Sequence, residues 1–317
     1  MRNRITLLLL VLVCTTTLLA KETNTNSKLN YIPLLKYDYL SLDSQEINSP
    51  GAGLVIQKKD LMFVALYTRH AMQKSNLPYY PKTFHSIDIL YDLTKKRSQY
   101  LAIFKSESDQ PVYGGLQTFQ AAAAYGYEVV KNENTSIVLG GCVAVSDFGI
   151  EFSGGKTWPL IPVPLIRMNY RSRLLQTKFE FLTSPNLDLT IAPDSKLRFV
   201  SECRLDQFRD ERDLVFECSL AYRFFSADHS NGDFAGISVG IKNDNYGAFD
   251  LGENDTAYPE EEESLETHYN AIFGTIDLTI LKISAGKAFK GRELYRGEDT
   301  NDIGDGYLIS VEALYQF

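Results

Sequence analysis

Long apolar runs are scarce in this chain of 317 residues. A helix that crosses a membrane needs about 18 consecutive apolar residues, and no stretch after residue 20 approaches that length. Because lipid offers no hydrogen-bond partner to the backbone, such a chain can span a membrane only as a closed β-barrel. The sequence therefore leaves two classes, a membrane-spanning barrel and a water-soluble protein.

Residues that carry chemistry are also few. The four histidines are scattered, no His or Cys cluster has the spacing of metal ligands, and neither a Gly-x-Ser-x-Gly motif nor a phosphate-binding loop occurs. His85 and Ser86 are adjacent, so a strand would point them to opposite faces, where they cannot act as base and nucleophile together. We therefore expect no enzyme activity, no catalytic residue, no metal and no cofactor.

A basic excess is absent as well. The chain has 32 Lys and Arg against 40 Asp and Glu, which argues against a nucleic-acid partner. Glu260, Glu261, Glu262 and Glu263 form an acidic run, predicted to lie in the longest loop. Such a run can collect cations at a channel mouth or bind divalent ions that bridge lipid phosphates. A solvated loop is the simpler interpretation.

The first 20 residues have the pattern of a secretory signal peptide. Residues 1–4 are basic and residues 6–13 are apolar, which predicts export and cleavage after Ala20. Leu18 is larger than is usual three residues before the cut, and Cys14 offers lipidation as an alternative. We expect residues 1–20 to be the signal peptide, residues 21–30 a flexible polar tail, and residues 31–317 one barrel.

Apolar and polar residues alternate with a period of two along most of the remaining chain. In residues 118–130, Phe119, Tyr125 and Tyr127 share one face, while Gln120 and Glu128 share the other. This alternation predicts β-strands with one apolar face and one polar face. The chain also has 19 Tyr and 18 Phe, and membrane barrels place such residues at both lipid interfaces.

The segment of residues 197–224 is predicted to be a hairpin with a defined register. Pairing Cys203 with Cys218 gives one continuous apolar face and places Arg204 opposite Glu217 as an ion pair. The two cysteines can then form a cross-strand disulfide in an oxidising compartment. Two small apolar side chains on a lipid-facing surface explain the pair equally well.

Loop lengths favour a membrane barrel. Tight turns are predicted at residues 58–60, 94–98, 131–135, 171–173 and 193–196, and they alternate with longer stretches at residues 43–50, 71–84, 107–114, 148–160, 244–265 and 291–303. Membrane barrels have short periplasmic turns and longer external loops. Residues 52–57 and 187–191 are shorter than the 9–11 or so residues of a spanning strand. We therefore predict an all-β fold, a single antiparallel transmembrane β-barrel of about 14 strands, with 12 to 16 as the range.

Two parts of the chain resemble known families. The alternating last strand, which ends with Tyr315 and Phe317, resembles the C-terminal strand of outer-membrane barrels. That resemblance implies an insertion signal read by the barrel-assembly machinery, outer-membrane lipid as surroundings, and the outer membrane of a diderm bacterium as location. Residues 155–317, with Trp158, Asn169 and short Pro-punctuated strands, resemble a family of exported barrels of unknown function.

The predicted inner face carries charges of both signs, at Arg167, Lys178, Glu180, Arg198, Glu202, Arg204, Glu217, Arg223 and Lys242. A barrel of this size encloses a lumen too wide for side chains to fill. We expect a porin-like channel for passive passage of small solutes with weak ion preference. Two alternatives stay open, a non-conducting surface barrel that binds a partner through its external loops and a soluble periplasmic β-protein.

Overall fold

The computed structural model describes residues 29–74, 82–112, 114–146, 151–152, 156–157, 159–182, 184–205, 214–224, 235–250, 264–278, 280–295 and 298–314. The strands are β1 (Asn30–Leu42), β2 (Glu46–Lys58), β3 (Leu61–Lys74), β4 (Thr83–Lys95), β5 (Ser98–Ser108), β6 (Gln120–Lys131), β7 (Thr135–Val145), β8 (Glu151–Phe152), β9 (Lys156–Thr157), β10 (Leu160–Arg171), β11 (Leu175–Phe181), β12 (Pro185–Ile191), β13 (Leu197–Leu205), β14 (Leu214–Arg223), β15 (Ala235–Asp250), β16 (Ser264–Leu278), β17 (Leu281–Tyr295) and β18 (Glu298–Leu314). One 3-10 turn, Leu116–Thr118, precedes β6.

Sixteen of these strands form a closed antiparallel barrel, in which β1 pairs with β18 and β8 and β9 form a separate hairpin. The predicted count of about 14 is too low. Residues 52–57 belong to β2, whose 13 residues include a polar first half with Pro50 and Gly51. Residues 187–191 belong to β12, which has only 7 residues and pairs with neighbours on both sides. Backbone pairing holds both strands where side-chain pattern is weak.

The two faces of the barrel wall differ in polarity. Exposed apolar side chains on the outer face include Leu35, Tyr37, Tyr100, Tyr125, Leu139, Val143, Ile166, Tyr170, Leu220, Val239, Ile241, Ile272 and Ile276. The inner face carries most of the charged side chains of the same strands. Apolar outside and polar inside is the pattern of a transmembrane barrel. Among the described residues, no helix is long and apolar enough to cross a membrane.

Tight turns lie at the barrel end that holds the start of β1 and the end of β18. Lys59 and Asp60 join β2 to β3, and Lys96 and Arg97 join β4 to β5. At the opposite end, two stretches predicted to be long loops are mostly strand, because β2 begins at Glu46 and β17 and β18 extend to within two residues of each other. These strands project beyond the length that a bilayer requires.

The register of β13 and β14 differs from the prediction. Cys203 faces Phe216, and Cys218 faces Ser201, two residues along the strand. Both thiols are free. Glu202 faces Glu217, so the expected ion pair between Arg204 and Glu217 does not form directly across the strands. A shift of two residues leaves every side chain on its original face, so alternation alone cannot distinguish the two registers.

Part of the barrel interior is filled by apolar side chains. Small and aliphatic side chains on the inner faces of β5, β6, β7 and β10 bury one another, including Leu101, Ala122, Ala124, Cys142, Ala144, Val163 and Leu165. At Gly140 an added methyl group would lie 1.9 Å from the carbonyl oxygen of Tyr125, so β6 and β7 approach closely there. This side of the wall packs as a hydrophobic core.

Candidate functional site in the barrel lumen

The nine charged residues singled out from the sequence lie on the inner face of β10 to β15. A lateral row runs from Lys178 through Asp188, Glu202 and Glu217 to Lys242, one residue on each of five neighbouring strands. Three carboxylates therefore lie side by side with an amine at each end. Lys178 is 3.8 Å from Asp188, an exposed contact of little energetic weight. Arg198, Arg204 and Arg223 lie on the same faces of β13 and β14.

Arg167 connects strands that are not neighbours. Its guanidinium forms ion pairs with Glu180 on the adjacent strand β11 and, at 2.8 Å, with Asp92 on β4. A third contact, 3.3 Å to the side-chain oxygen of Gln99, reaches β5. Three strands, β5, β6 and β7, separate β4 from β10 in the wall. The Arg167 side chain thus links β10 to β4 and β5 through the barrel interior, and we call this set of contacts the Arg167 strut.

A cavity of about 280 Å³ lies inside the opposite part of the barrel. Its lining residues are Lys36, Asp38, Tyr39, Leu40, Leu66, Thr68, His70, Ser86, Asp88, Glu107, Lys242, Asp244, Tyr269, Leu308, Ile309 and Ser310. They include four carboxylates and two amines, so the lining has an excess of negative charge when His70 is neutral. Hydroxyl groups complete a polar surface suited to a small hydrated solute.

Short polar contacts hold the cavity lining in place. Lys36 lies 2.9 Å from Asp38, and Lys242 lies 2.7 Å from Asp244, which also accepts a 3.1 Å hydrogen bond from the Tyr269 hydroxyl. These contacts pre-order the charged groups, since each amine is fixed by its own carboxylate. Asp88 has no ion-pair partner within 4 Å among the residues that the structure describes, although Lys105 is its cross-strand neighbour on β5.

His70 lies between two serine hydroxyls on the cavity wall. Its ring nitrogens are 2.8 Å from the Ser49 hydroxyl and 2.7 Å from the Ser86 hydroxyl, and all three side chains are buried. His85, which follows Ser86 in the chain, lies on the outer face, where its ring is 2.7 Å from the Tyr67 hydroxyl. Within the described residues, no group of three or more His, Cys, Asp or Glu side chains is arranged to hold a metal ion.

The lumen is flattened at the level of this cavity. Strands β5 and β15 have seven strands between them in either direction around the barrel. Their Cα atoms nevertheless come within 8 Å of each other, as do those of β15 and the turn Leu116–Thr118. Glu107 of β5 and Lys242 of β15 consequently line the same cavity. The passage is therefore narrower than the strand number suggests.

A buried layer lies beyond the cavity, toward the end with the longer connections. Aliphatic and aromatic side chains from both ends of the chain pack together there, including Leu40, Leu42, Ile47, Phe84, Leu265, Ala288 and Ile303. A buried polar network joins this layer, in which Gln45 contacts Glu293 at 3.3 Å and accepts a 3.0 Å hydrogen bond from Thr267. This layer narrows the described part of the lumen at its long-loop end.

Most of the residues that line the cavity have no distinguishing pattern in the sequence. Lys36 and Asp38 alternate with Tyr37 and Tyr39 on β1, and this alternation is the signal that identifies their inward direction. Nothing in the sequence brings them beside Lys242, which is some 200 residues away and meets them only because the barrel closes. The predicted insertion signal, Tyr315 and Phe317, and the acidic run of residues 260–263 lie outside the described residues.

No protein-family model matches the chain, and a comparison with curated protein sequences finds no match. The resemblance of residues 155–317 to a barrel family of unknown function is therefore not confirmed. Among solved structures, OccAB3 of Acinetobacter baumannii is similar at 10% identity and a TM-score of 0.37, over 92% of this chain and 100% of that chain. OprD, an outer membrane protein of Pseudomonas aeruginosa, is similar at 10% identity and a TM-score of 0.39, over 94% and 97%. OccK7 (OpdD) of the same organism is similar at 12% identity and a TM-score of 0.35, over 93% and 100%.

Proposed function

We propose that this protein is a porin-like channel of the outer membrane that passes small solutes by passive diffusion. The observation that carries the proposal is the polar cavity of about 280 Å³ enclosed by a sixteen-strand barrel with an apolar outer surface. A barrel of sixteen strands has room for an aqueous channel. Here the packed wall and the strut at Arg167 reduce that channel to a narrow, charge-lined passage, which limits passage to small solutes.

The charges on the cavity wall suggest a weak preference for cations. Asp38 and Asp244 are neutralised by their lysine partners, whereas Asp88 and Glu107 add negative charge. Lys105 lies 3.1 Å from Glu107 and offsets part of this excess. Since rings of charge set selectivity in channels, the preference for cations over anions should be modest.

The test is the conductance of residues 21–317 refolded into a planar bilayer. Discrete current steps are expected, with a reversal potential in a salt gradient that shows a small cation preference. Changing Asp88→Asn with Glu107→Gln should move that potential toward anions. The matched control is Asp60→Asn with Glu133→Gln, two exposed carboxylates on tight turns outside the lumen, which should leave it unchanged. Strong anion selectivity of the unaltered chain would contradict the proposal.

A second candidate is a non-conducting surface barrel that binds a partner through its long-loop end. The buried layer around Leu40, Ile47 and Phe84 favours it, because this layer narrows the lumen. Efficient insertion into the bilayer without any current would support this candidate. A chain that folds stably but does not insert into the bilayer would support the remaining alternative, a soluble periplasmic β-protein. The exposed apolar outer face argues against that alternative.

Export and insertion complete the proposed function. A signal peptide over residues 1–20 would deliver the chain to the periplasm, and Tyr315 and Phe317 would be read by the barrel-assembly machinery. Deleting Phe317 is expected to leave unfolded chain in the periplasm of cells while refolding in detergent proceeds normally. Equal amounts of folded barrel in cells with and without Phe317 would contradict this role.

A further inference from the structure

We propose that the tight-turn end of the barrel is a binding surface for anionic phospholipid headgroups. Nine cations and three carboxylates lie on five turns at this end, residues 58–60, 95–98, 131–135, 171–175 and 192–196, which gives these five turns a surplus of six positive charges. The whole chain has a net charge of −8, so the charge of these turns is opposite in sign to that of the chain. The proposal rests on the membrane-spanning barrel but not on conduction through it.

Most of these cations are not neutralised by the protein. Lys131 lies 2.9 Å from Glu128, and Arg171 lies 3.0 Å from Asp194. Seven others are exposed and have no ion-pair partner among the described residues, and we name them the basic arc: Lys58, Lys59, Lys95, Lys96, Arg97, Arg173 and Lys196. Like charges held this close on one surface repel one another, so an anionic partner that covers them is favoured.

The basic arc is continuous around much of the barrel. Its turns join β2 to β3, β4 to β5, β10 to β11 and β12 to β13, and the intervening turn between β6 and β7 carries Lys131. These ten strands are consecutive neighbours in the wall. An arc that follows the barrel perimeter matches a shell of surrounding lipid better than it matches a compact soluble partner.

The depth of the arc also fits lipid headgroups. Exposed apolar side chains on the outer face lie one to three residues along the chain from three of these cations, Tyr100 from Arg97, Tyr170 from Arg173 and Leu197 from Lys196. Aromatic and apolar residues at this position mark the boundary of the hydrocarbon layer. Amines and guanidinium groups one to three residues beyond it reach the level of lipid phosphates, to which Arg and Lys bind well.

The first test measures the unfolding temperature of residues 21–317 in vesicles of phosphatidylcholine alone or mixed with phosphatidylglycerol. Both leaflets have the same composition, so the direction of insertion does not matter. Phosphatidylglycerol is expected to raise the unfolding temperature, and high salt should abolish the increase because it screens exposed charges. Inorganic phosphate added to the neutral vesicles should have no such effect, and an equal increase would show that a free anion rather than a membrane surface is bound.

Matched variants assign the effect to the arc. Changing Lys95, Lys96 and Arg97 to Gln removes three of seven cations and should remove roughly two fifths of the increase if each contributes equally. The control changes Lys82, Lys290 and Arg69 to Gln, two lysines and one arginine nearer the opposite end that have no ion-pair partner among the described residues, and should retain the full increase. Equal losses in both variants would overturn the proposal.

Two further outcomes are decisive. If phosphatidylglycerol has no effect on the unaltered chain, anionic lipid is not the partner. If isolated cell-wall sacculi capture the chain through the arc while anionic lipid does not stabilise it, the partner is the acidic wall polymer and the proposal is wrong. Conductance is recorded on the same vesicles, so a barrel that binds lipid without conducting would refute only the channel function.

Discussion

Replacing Arg167 with Met is expected to destabilise the barrel and to increase its conductance together. The Arg167 side chain is 14% exposed, and its partners Asp92 and Glu180 are 20% and 23% exposed. Removal of the guanidinium therefore leaves two carboxylates close together in a largely desolvated site. The same change removes the strut that crosses the interior between β10 and β4.

The magnitude follows from the exposure of the three side chains. Breaking a fully buried ion pair by deleting one partner costs about 3–5 kcal/mol, whereas an exposed pair contributes less than about 1 kcal/mol. Water in the lumen can reach part of this site, so we expect the free energy of unfolding to fall by about 2 kcal/mol. Adding Asp92→Asn and Glu180→Gln to Arg167→Met removes the uncompensated charges and should restore most of the loss.

The assay is denaturant unfolding in detergent micelles, followed by bilayer recordings of the same preparations. Both Arg167→Met and the triple variant should conduct more than the unaltered chain, because each lacks the strut. Only the single variant should be less stable. If the single variant is as stable as the unaltered chain and its conductance does not change, the three side chains are separately hydrated and no strut exists.

Two further predictions concern the wall. Gly140→Ala should lower the free energy of unfolding by about 1–3 kcal/mol, because its methyl group would meet a neighbouring carbonyl oxygen, whereas Gly141→Ala, which has open space around it, should change little in the same denaturant titration. Equal losses would contradict the close approach of β6 and β7. Ser201→Cys combined with Cys203→Ser should form a disulfide with Cys218 on oxidation, detectable by peptide mass spectrometry, because residues 201 and 218 face each other. A bond between Cys203 and Cys218 in the oxidised unaltered chain would contradict this register.

Alternation in the sequence predicts which face of the wall a residue occupies. Lys178, Glu202, Glu217 and Lys242 each have at least one apolar neighbour in the chain and alternate with it, and the structure has all four in one lateral row. This works because successive side chains on a strand point to opposite sides. The register of strand pairing is harder to predict from the sequence, because a shift of two residues leaves every side chain on the same face of the sheet. The pairing of Cys203 and Cys218 is an example.

The set of residues that line the cavity could not be predicted from the sequence. Asp88 and Lys36 are typical polar residues of their strands, and their proximity depends on the order of strands around the closed barrel. The number of strands is hard to predict for the same reason, because β12 is stabilised by pairing with strands on both sides rather than by its own length or sequence pattern. Local sequence patterns predict which face of the sheet a side chain occupies. Which residues face each other across the lumen depends on how the whole barrel closes.

The open area of this barrel is determined by side-chain size more than by strand number. Sixteen strands set the perimeter, and a round barrel of that perimeter would hold a wide aqueous channel. Ala124 and Gly140 have a small side chain or none, which lets neighbouring groups approach closely, and Val163 and Leu165 belong to the buried apolar cluster on this side. The packed side stabilises the fold as a core does. In the proposed channel, the open space is then the polar cavity beside Asp88 and the lysine–carboxylate pairs, and a solute that crosses would pass these charged groups.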